Sequence, residues 1–189
     1  MIKDEDVFWV DKVLSGDKNA YARLIEKHED MVYTLVRRIL KQNEESEDIT
    51  QMVFIKAYQA LGNFNKKSLF STWLNRIAYN TAISEYRMIK NKIYLLDEQQ
   101  IQNLSVSVAD ENHSDEKEAQ LQLLEKNLQK LEPEDNALIS FYYIQNLHID
   151  QISEITNLSP SNVKIRLFRI RKKLHEWMFK ETNAYTTAL

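Results

Sequence analysis

Asn157-Leu158-Ser159-Pro160-Ser161-Asn162-Val163-Lys164-Ile165-Arg166-Leu167-Phe168-Arg169-Ile170-Arg171-Lys172-Lys173 reads as a turn, a helix start and a basic helix in immediate succession. Ser159 offers a capping hydroxyl, and Pro160 suits the first helical position, where its missing N–H would lack a partner anyway. Val163, Leu167, Ile170, Leu174 and Trp177 then recur at i, i+4, i+7, i+11 and i+14, which is one apolar face of a helix. Six cations and no acid fall between Lys164 and Lys173. Asn162, Arg166, Arg169 and Lys173 flank the apolar stripe on one side and Lys164 and Arg171 on the other, while Ile165, Phe168 and Lys172 point away. A short helix over about His148 to Thr156 precedes the turn, and the pair forms a helix-turn-helix whose second helix suits a DNA major groove.

Working outward, Leu121, Leu124, Leu128 and Leu131 form one stripe, and Pro133 opens a helix carrying Ala137, Leu138, Phe141 and Ile144 as another. Upstream, helical periodicity covers residues 6 to 40 and 45 to 62, with Ser46 as a cap and Glu47 and Asp48 in the first turn. Gly62-Asn63 breaks the pattern. A further helix spans about Ser71 to Lys92, with Leu74, Ile77, Thr81 and Met88 inward. Between about Tyr94 and His113 the sequence is rich in Gln, Asn, Ser and acids without sustained periodicity, which predicts a linker. The expected fold is all-α: a helical domain over 1–93, an acidic linker over 94–116, and a second helical domain over 117–189 containing the helix-turn-helix.

Composition agrees. The 189 residues include only 2 Gly and 2 Pro, against an average usage of about 7% and 5%. There is no Cys, and His28, His113, His148 and His175 are scattered, so neither a disulfide nor a metal site is expected. No apolar run approaches the length of a membrane span and the N-terminus lacks a signal-like segment, so the expected setting is the cytoplasm without membrane insertion.

The net charge of -3 hides a segregation. Residues 66 to 92 hold six cations against Glu85, and residues 159 to 180 hold seven against Glu176. Between them, residues 97 to 118 hold seven acids against Lys117. Two basic blocks parted by an acidic one fit two polyanion-binding surfaces joined by a segment that must lie elsewhere; solvated helix faces are the plainer alternative. Along the helix from Ser71, the residues Arg76, Tyr79, Asn80, Ile83, Arg87 and Lys90 share a face. Cations track phosphates and aromatic rings stack on unpaired bases, so this face suits partly single-stranded nucleic acid, although Tyr79 and Ile83 could equally pack against another helix.

These residues, taken as ordered blocks, resemble a known family. Asn19-Ala20-Tyr21-Ala22-Arg23-Leu24-Ile25, then Glu47-Asp48-Ile49-Thr50-Gln51-Met52-Val53-Phe54, then Ser68-Leu69-Phe70-Ser71-Thr72-Trp73-Leu74-Asn75-Arg76-Ile77-Ala78-Tyr79-Asn80 are similar to region 2 of the extracytoplasmic-function sigma factors of RNA polymerase. Leu131-Glu132-Pro133 and Val163 to Arg171 are similar to their region 4. The resemblance implies a sigma factor that binds core RNA polymerase and directs it to promoter DNA, with Glu47, Asp48 and Gln51 contacting polymerase. It implies minus 10 contacts from Asn63, Lys66, Lys67, Ser68, Arg76, Tyr79, Asn80, Ile83 and Arg87. For the minus 35 element it implies Ser159, Ser161, Asn162, Lys164, Ile165, Arg166, Arg169, Lys172 and Lys173. An anti-sigma factor is a further candidate partner. Met52 stands where the family usually has Glu, and Asn157 where it has a turn Gly, a position Asn can fill because it tolerates left-handed backbone.

Two other classes are open to an all-α chain of this kind. A two-domain helix-turn-helix regulator would share the last helix without docking on polymerase. An enzyme would need convergent acids and His, and His28-Glu29-Asp30 diverge around one helix, so no catalytic residue and no cofactor are expected.

Overall fold

The computed structural model of the chain describes residues 5–41, 44–97 and 116–187, and all regular structure within them is helical. Helix α1 (Asp6–Leu14) and α2 (Ala20–Leu40) divide the first periodic stretch, because Gly16 takes a φ of 107° that only glycine adopts readily. Helix α3 (Glu44–Ala60) passes through a 3-10 turn (Leu61–Asn63) towards α4 (Phe70–Asp97). The expected cap Ser46 is instead buried inside α3, which begins at Glu44. Its carbonyl accepts from Thr50 Oγ1 at 2.7 Å.

The N-terminal helices share a core of Leu24, Val32, Leu35, Val53, Ala57, Leu74 and Ala78, all fully buried. An aromatic cluster of Phe64, Phe70 and Trp73, with centroids 5.4 to 5.7 Å apart, closes one end and holds the α3–α4 connection down. Met88, expected inward, is exposed: α4 extends beyond the core it packs on. The helix also continues through residues 94 to 97, past the expected start of the linker. The remaining linker positions up to residue 115 lie outside the described residues.

Helices α5 (Glu116–Gln129), α6 (Pro133–Ile139), α7 (Ile149–Thr156) and α8 (Pro160–Thr187) form the C-terminal half around Leu131, Leu138, Phe141, Ile152, Ile155, Val163 and Ile170. Leu121, expected on the α5 stripe, is 65% exposed. A π-turn (Ser140–Ile144) follows α6, with the Gln145 N–H donating to Ser140 O at 3.0 Å. The wider turn shifts the side-chain phase, so Phe141 is buried while Ile144, expected on the same stripe, is exposed. Asn157 ends α7 at φ 58°, as the left-handed turn requires. Ser159 Oγ accepts from Asn162 N at 3.3 Å, and α8 starts at Pro160, as read from the sequence.

One buried pair fastens α1. Asp6 Oδ2 lies 2.8 Å from His28 Nε2, and Asp6 Oδ1 accepts from Lys27 Nζ at 2.7 Å. Burial pushes the Asp6 carboxyl up, and the bonds from His28 and Lys27 outweigh it, so the group titrates below its ordinary value of 3.8. A depressed folded-state pKa contributes stability that is complete above the unfolded value and disappears as pH falls through the folded one. Asp6→Ala should therefore destabilise the chain by about 3 kcal/mol near neutrality. Denaturant titrations should show this difference shrinking as pH falls below the ordinary carboxylate value of 3.8. A difference that grows as pH falls below that value would contradict the assignment.

Candidate nucleic-acid and polymerase interfaces

Three separate surfaces carry the residues singled out above. On α3, Glu47, Asp48 and Gln51 are exposed, while Ile49, Val53 and Ala57 face the core. Two apolar residues the sequence reading passed over extend this surface: Ile55 is 57% exposed and Tyr58 39%. Their spacing from Gln51, i+4 and i+7, was the available signal.

The second surface is α4, and here the helix-wheel reading divides. Arg76, Asn80 and Arg87 are exposed. Tyr79 is half-buried, and Ile83 is buried. Thr72, Asn75, Tyr79, Ile83 and Arg87, at i, i+3, i+7, i+11 and i+15, form one stripe, and four of its five members meet the C-terminal half. Thr72 Oγ1 accepts from Gln151 Nε2 at 3.3 Å, and Asn75 Nδ2 donates to Gln145 Oε1 at 2.7 Å. The Tyr79 ring lies 6.1 Å from that of Phe141, and Arg87 Nη2 pairs with Glu134 Oε1 at 3.1 Å. Burial, with Glu134 nearby, raises the Tyr79 hydroxyl above its ordinary pKa. The fit is incomplete: Asn75 Oδ1 and Gln145 Nε2 are buried without partners. Thr72 and Asn75 were not singled out from the sequence, although two fully buried polar residues three apart on one helix mark a polar interface.

The basic connection before α4 is partly committed within its own half. Lys66, at φ 59°, places Nζ 2.5 Å from Asp11 Oδ1 of α1. The Lys67 N–H donates to Asn65 Oδ1 at 3.0 Å, and Asn63 is exposed with Ser68 half-buried.

The third surface is α8. Ser159, Ser161, Asn162 and Lys164 are exposed at its start, followed outward by Ile165, Phe168, Arg169 and Lys172. Lys173 Nζ sits 4.7 Å over the Trp177 ring, which fixes its ammonium near the helix without neutralising it. Arg166 differs from its neighbours. It is half-buried and bonded through Nε, at 3.0 Å, and Nη2 to Asp135 Oδ1 of α6. Among the described residues no cluster of His, Cys, Asp and Glu could hold a metal ion. No helix among them is long and apolar enough to cross a membrane.

Comparison with known proteins places these surfaces in one family. The family model for Sigma-70 region 2 matches residues 24–92, which contain the α3 and α4 surfaces, and that for Sigma-70, region 4 matches residues 121–174, which contain the helix-turn-helix. The chain is 33% identical over 174 residues to the ECF RNA polymerase sigma factor SigW of Bacillus subtilis (strain 168), covering 88% of this chain and 93% of that protein. It is 28% identical over 177 residues to the ECF RNA polymerase sigma-E factor of Escherichia coli (strain K12), covering 89% and 92%. Its fold is similar to that of the sigma factor RpoE in complex with the anti-sigma factor NepR from Bartonella quintana, with a TM-score of 0.66 at 19% identity over 84% of this chain and 96% of that one. With both conserved regions present in order, and a curated relative matched along almost its whole length, the chain belongs to the extracytoplasmic-function sigma factors of the sigma-70 family.

Proposed function

We propose that, in binding core RNA polymerase and directing it to promoters, this sigma factor uses α3 to dock, α4 to hold the opened minus 10 strand and α8 to read the minus 35 duplex. It does so after the two halves separate. The observation that carries the last step is the α4 stripe. Tyr79, the ring suited to stacking on an unpaired base, is packed against Phe141 of the other half, and Asn75 is committed to Gln145. A strand cannot use that face while α6, the π-turn and α7 cover it. Residues 1–93 and 117–189 then act as separate modules and the acidic stretch between them as a tether, which like charge keeps off DNA. A regulatory partner of the anti-sigma kind belongs to the same reading, since any ligand that favours the closed arrangement withholds the α4 face.

On α8 the exposed residues divide by position. Ser161, Asn162 and Ile165 lie in the first turns, where a helix-turn-helix meets base edges, and Arg169, Lys172 and Lys173 lie further along, where phosphates run. In this arrangement Arg166 braces α8 against α6 through Asp135.

Three measurements test the assignment. Asp48→Ala combined with Gln51→Ala should weaken binding to core polymerase at least tenfold, or about 1.4 kcal/mol, without lowering the melting temperature, since both side chains are exposed. Undiminished affinity would remove α3 from the docking role.

Opening is visible by distance. The chain has no Cys, so cysteines placed at the exposed positions Arg23 on α2 and Glu154 on α7 give unique label sites. The label separation should be narrowly distributed in the free chain and should lengthen when core polymerase is added. An unchanged distance in the complex would mean that the halves stay together.

The division of α8 appears in salt dependence. Arg169→Ala should weaken all minus 35 sequences alike and reduce the salt slope by about one unit. Ile165→Ser should leave the slope alone and blunt discrimination at one A·T pair, because an apolar side chain reads a thymine methyl and nothing else. Identical, uniform losses in both variants would show that the division between holding and reading is wrong.

A further inference from the structure

Away from those three surfaces, the end of α2 and the body of α5 enclose a cleft of about 700 Å³. That is within the range of small-molecule sites, which favour boundaries between domains. Its walls are strongly cationic: Arg37, Arg38 and Lys41 come from one side and Lys126 and Lys130 from the other, against the single acid Glu125. Lys41 Nζ is spent on Leu131 O at 2.8 Å, and Lys130 Nζ on Asn127 Oδ1 at 3.0 Å and Glu181. The rest are under-neutralised. Arg38 reaches Glu125 only at 3.8 Å, and its Nε is buried without a partner. Arg37 and Lys126 are exposed and reach no acid within ion-pair distance among the described residues. Asn136, 3% exposed, lines the same cleft and spends its Nδ2 on Arg38 O at 3.0 Å and Leu128 O at 3.3 Å. Burial also lowers the Lys41 amine, against the opposing charge of Glu132.

Arginine and lysine present donors only, so a ligand that satisfies this wall must be an acceptor at several points and carry more than one negative charge. We propose that the cleft binds a small oligophosphate, free or as part of a nucleotide, whose phosphates bridge Arg37 and Arg38 of α2 to Lys126 of α5. Because the two walls belong to different halves, the bound molecule favours the arrangement in which they face each other, and it opposes separation by its differential affinity for that state.

Calorimetric titration of the full chain near physiological salt tests this, with inorganic tripolyphosphate and metal-free ATP as separate probes. The wild-type chain should show one saturable site. Arg37→Gln combined with Lys126→Gln alters only exposed side chains and should weaken binding about tenfold or more. Lys164→Gln combined with Lys172→Gln, on the most basic helix elsewhere, should leave the same titration unchanged. Tighter binding of ATP than of tripolyphosphate assigns a nucleotide as the occupant, and equal binding assigns the phosphate chain alone. Absence of a saturable site for both probes overturns the proposal, as does undiminished binding in the cleft variant or an equal loss in the α8 variant, which would reduce the cleft to diffuse polyanion attraction.

Discussion

The stripe Thr72, Asn75 and Tyr79 along α4 is where the two halves meet, and much of the architecture answers to its mixture of hydroxyl, amide and ring. On the proposed reading the same face takes an unstacked base and its phosphates, to which an amide, a hydroxyl and a ring are suited. In the closed chain those groups still need partners, and Gln151, Gln145 and Phe141 supply them. Gln151 does this while its Oε1 accepts from the His148 N–H at 2.9 Å at the start of α7. The first helix of the helix-turn-helix is thus capped and docked by the same side chain. Phe141 in the π-turn and Gln145 just after it, four residues apart, face α4 together.

The contacts between the halves are specific and individually weak. A neutral hydrogen bond adds about 0.5 to 1.5 kcal/mol net, and an exposed pair such as Arg87–Glu134 about 0 to 1. Against these stand Asn75 Oδ1 and Gln145 Nε2, buried without partners, each costing about 1 to 3 kcal/mol. A permanent interface would have replaced such groups by hydrocarbon. On the proposed reading this interface releases its surfaces to DNA and polymerase, and Asn75 is a group that the released α4 face keeps.

How much of this the sequence disclosed depends on whether local or distant residues decide each position. Ser159, Pro160 and the stripe from Val163 to Trp177 locate α8 because a cap and a helical period are written in adjacent residues. Asn157 was legible as a left-handed turn for the same reason. Ser46 was misread because a polar residue before two acids looks like a cap, whereas tertiary packing buries it in a helix that starts earlier. Ile144 fits an α-helical period from Ala137 that the π-turn interrupts, and Met88 and Leu121 lie on helices that outrun their cores. Helical spacing and then the family resemblance supplied candidate residues for the α4 face, but which of them are covered depends on how two separately patterned halves meet. Nothing local to Tyr79 encodes Phe141.

Charge shows the same limit. Read along the chain, the cations at residues 37, 38 and 41 and at 126 and 130 are ordinary entries on two separate amphipathic helices. Only the packing of α2 beside the C-terminal half turns them into opposite walls of one cleft. Like charges across a partly buried gap are screened less than on an open surface, so they disfavour closure to the extent that they are left unneutralised. Asp135 plays that neutralising part for Arg166, and Glu181 for Lys130. Among the described residues Arg37 and Lys126 reach no acid within ion-pair distance, and Glu181 acts on Lys126 only through space, so on the proposed reading counter-charge supplied at that cleft would favour the closed halves.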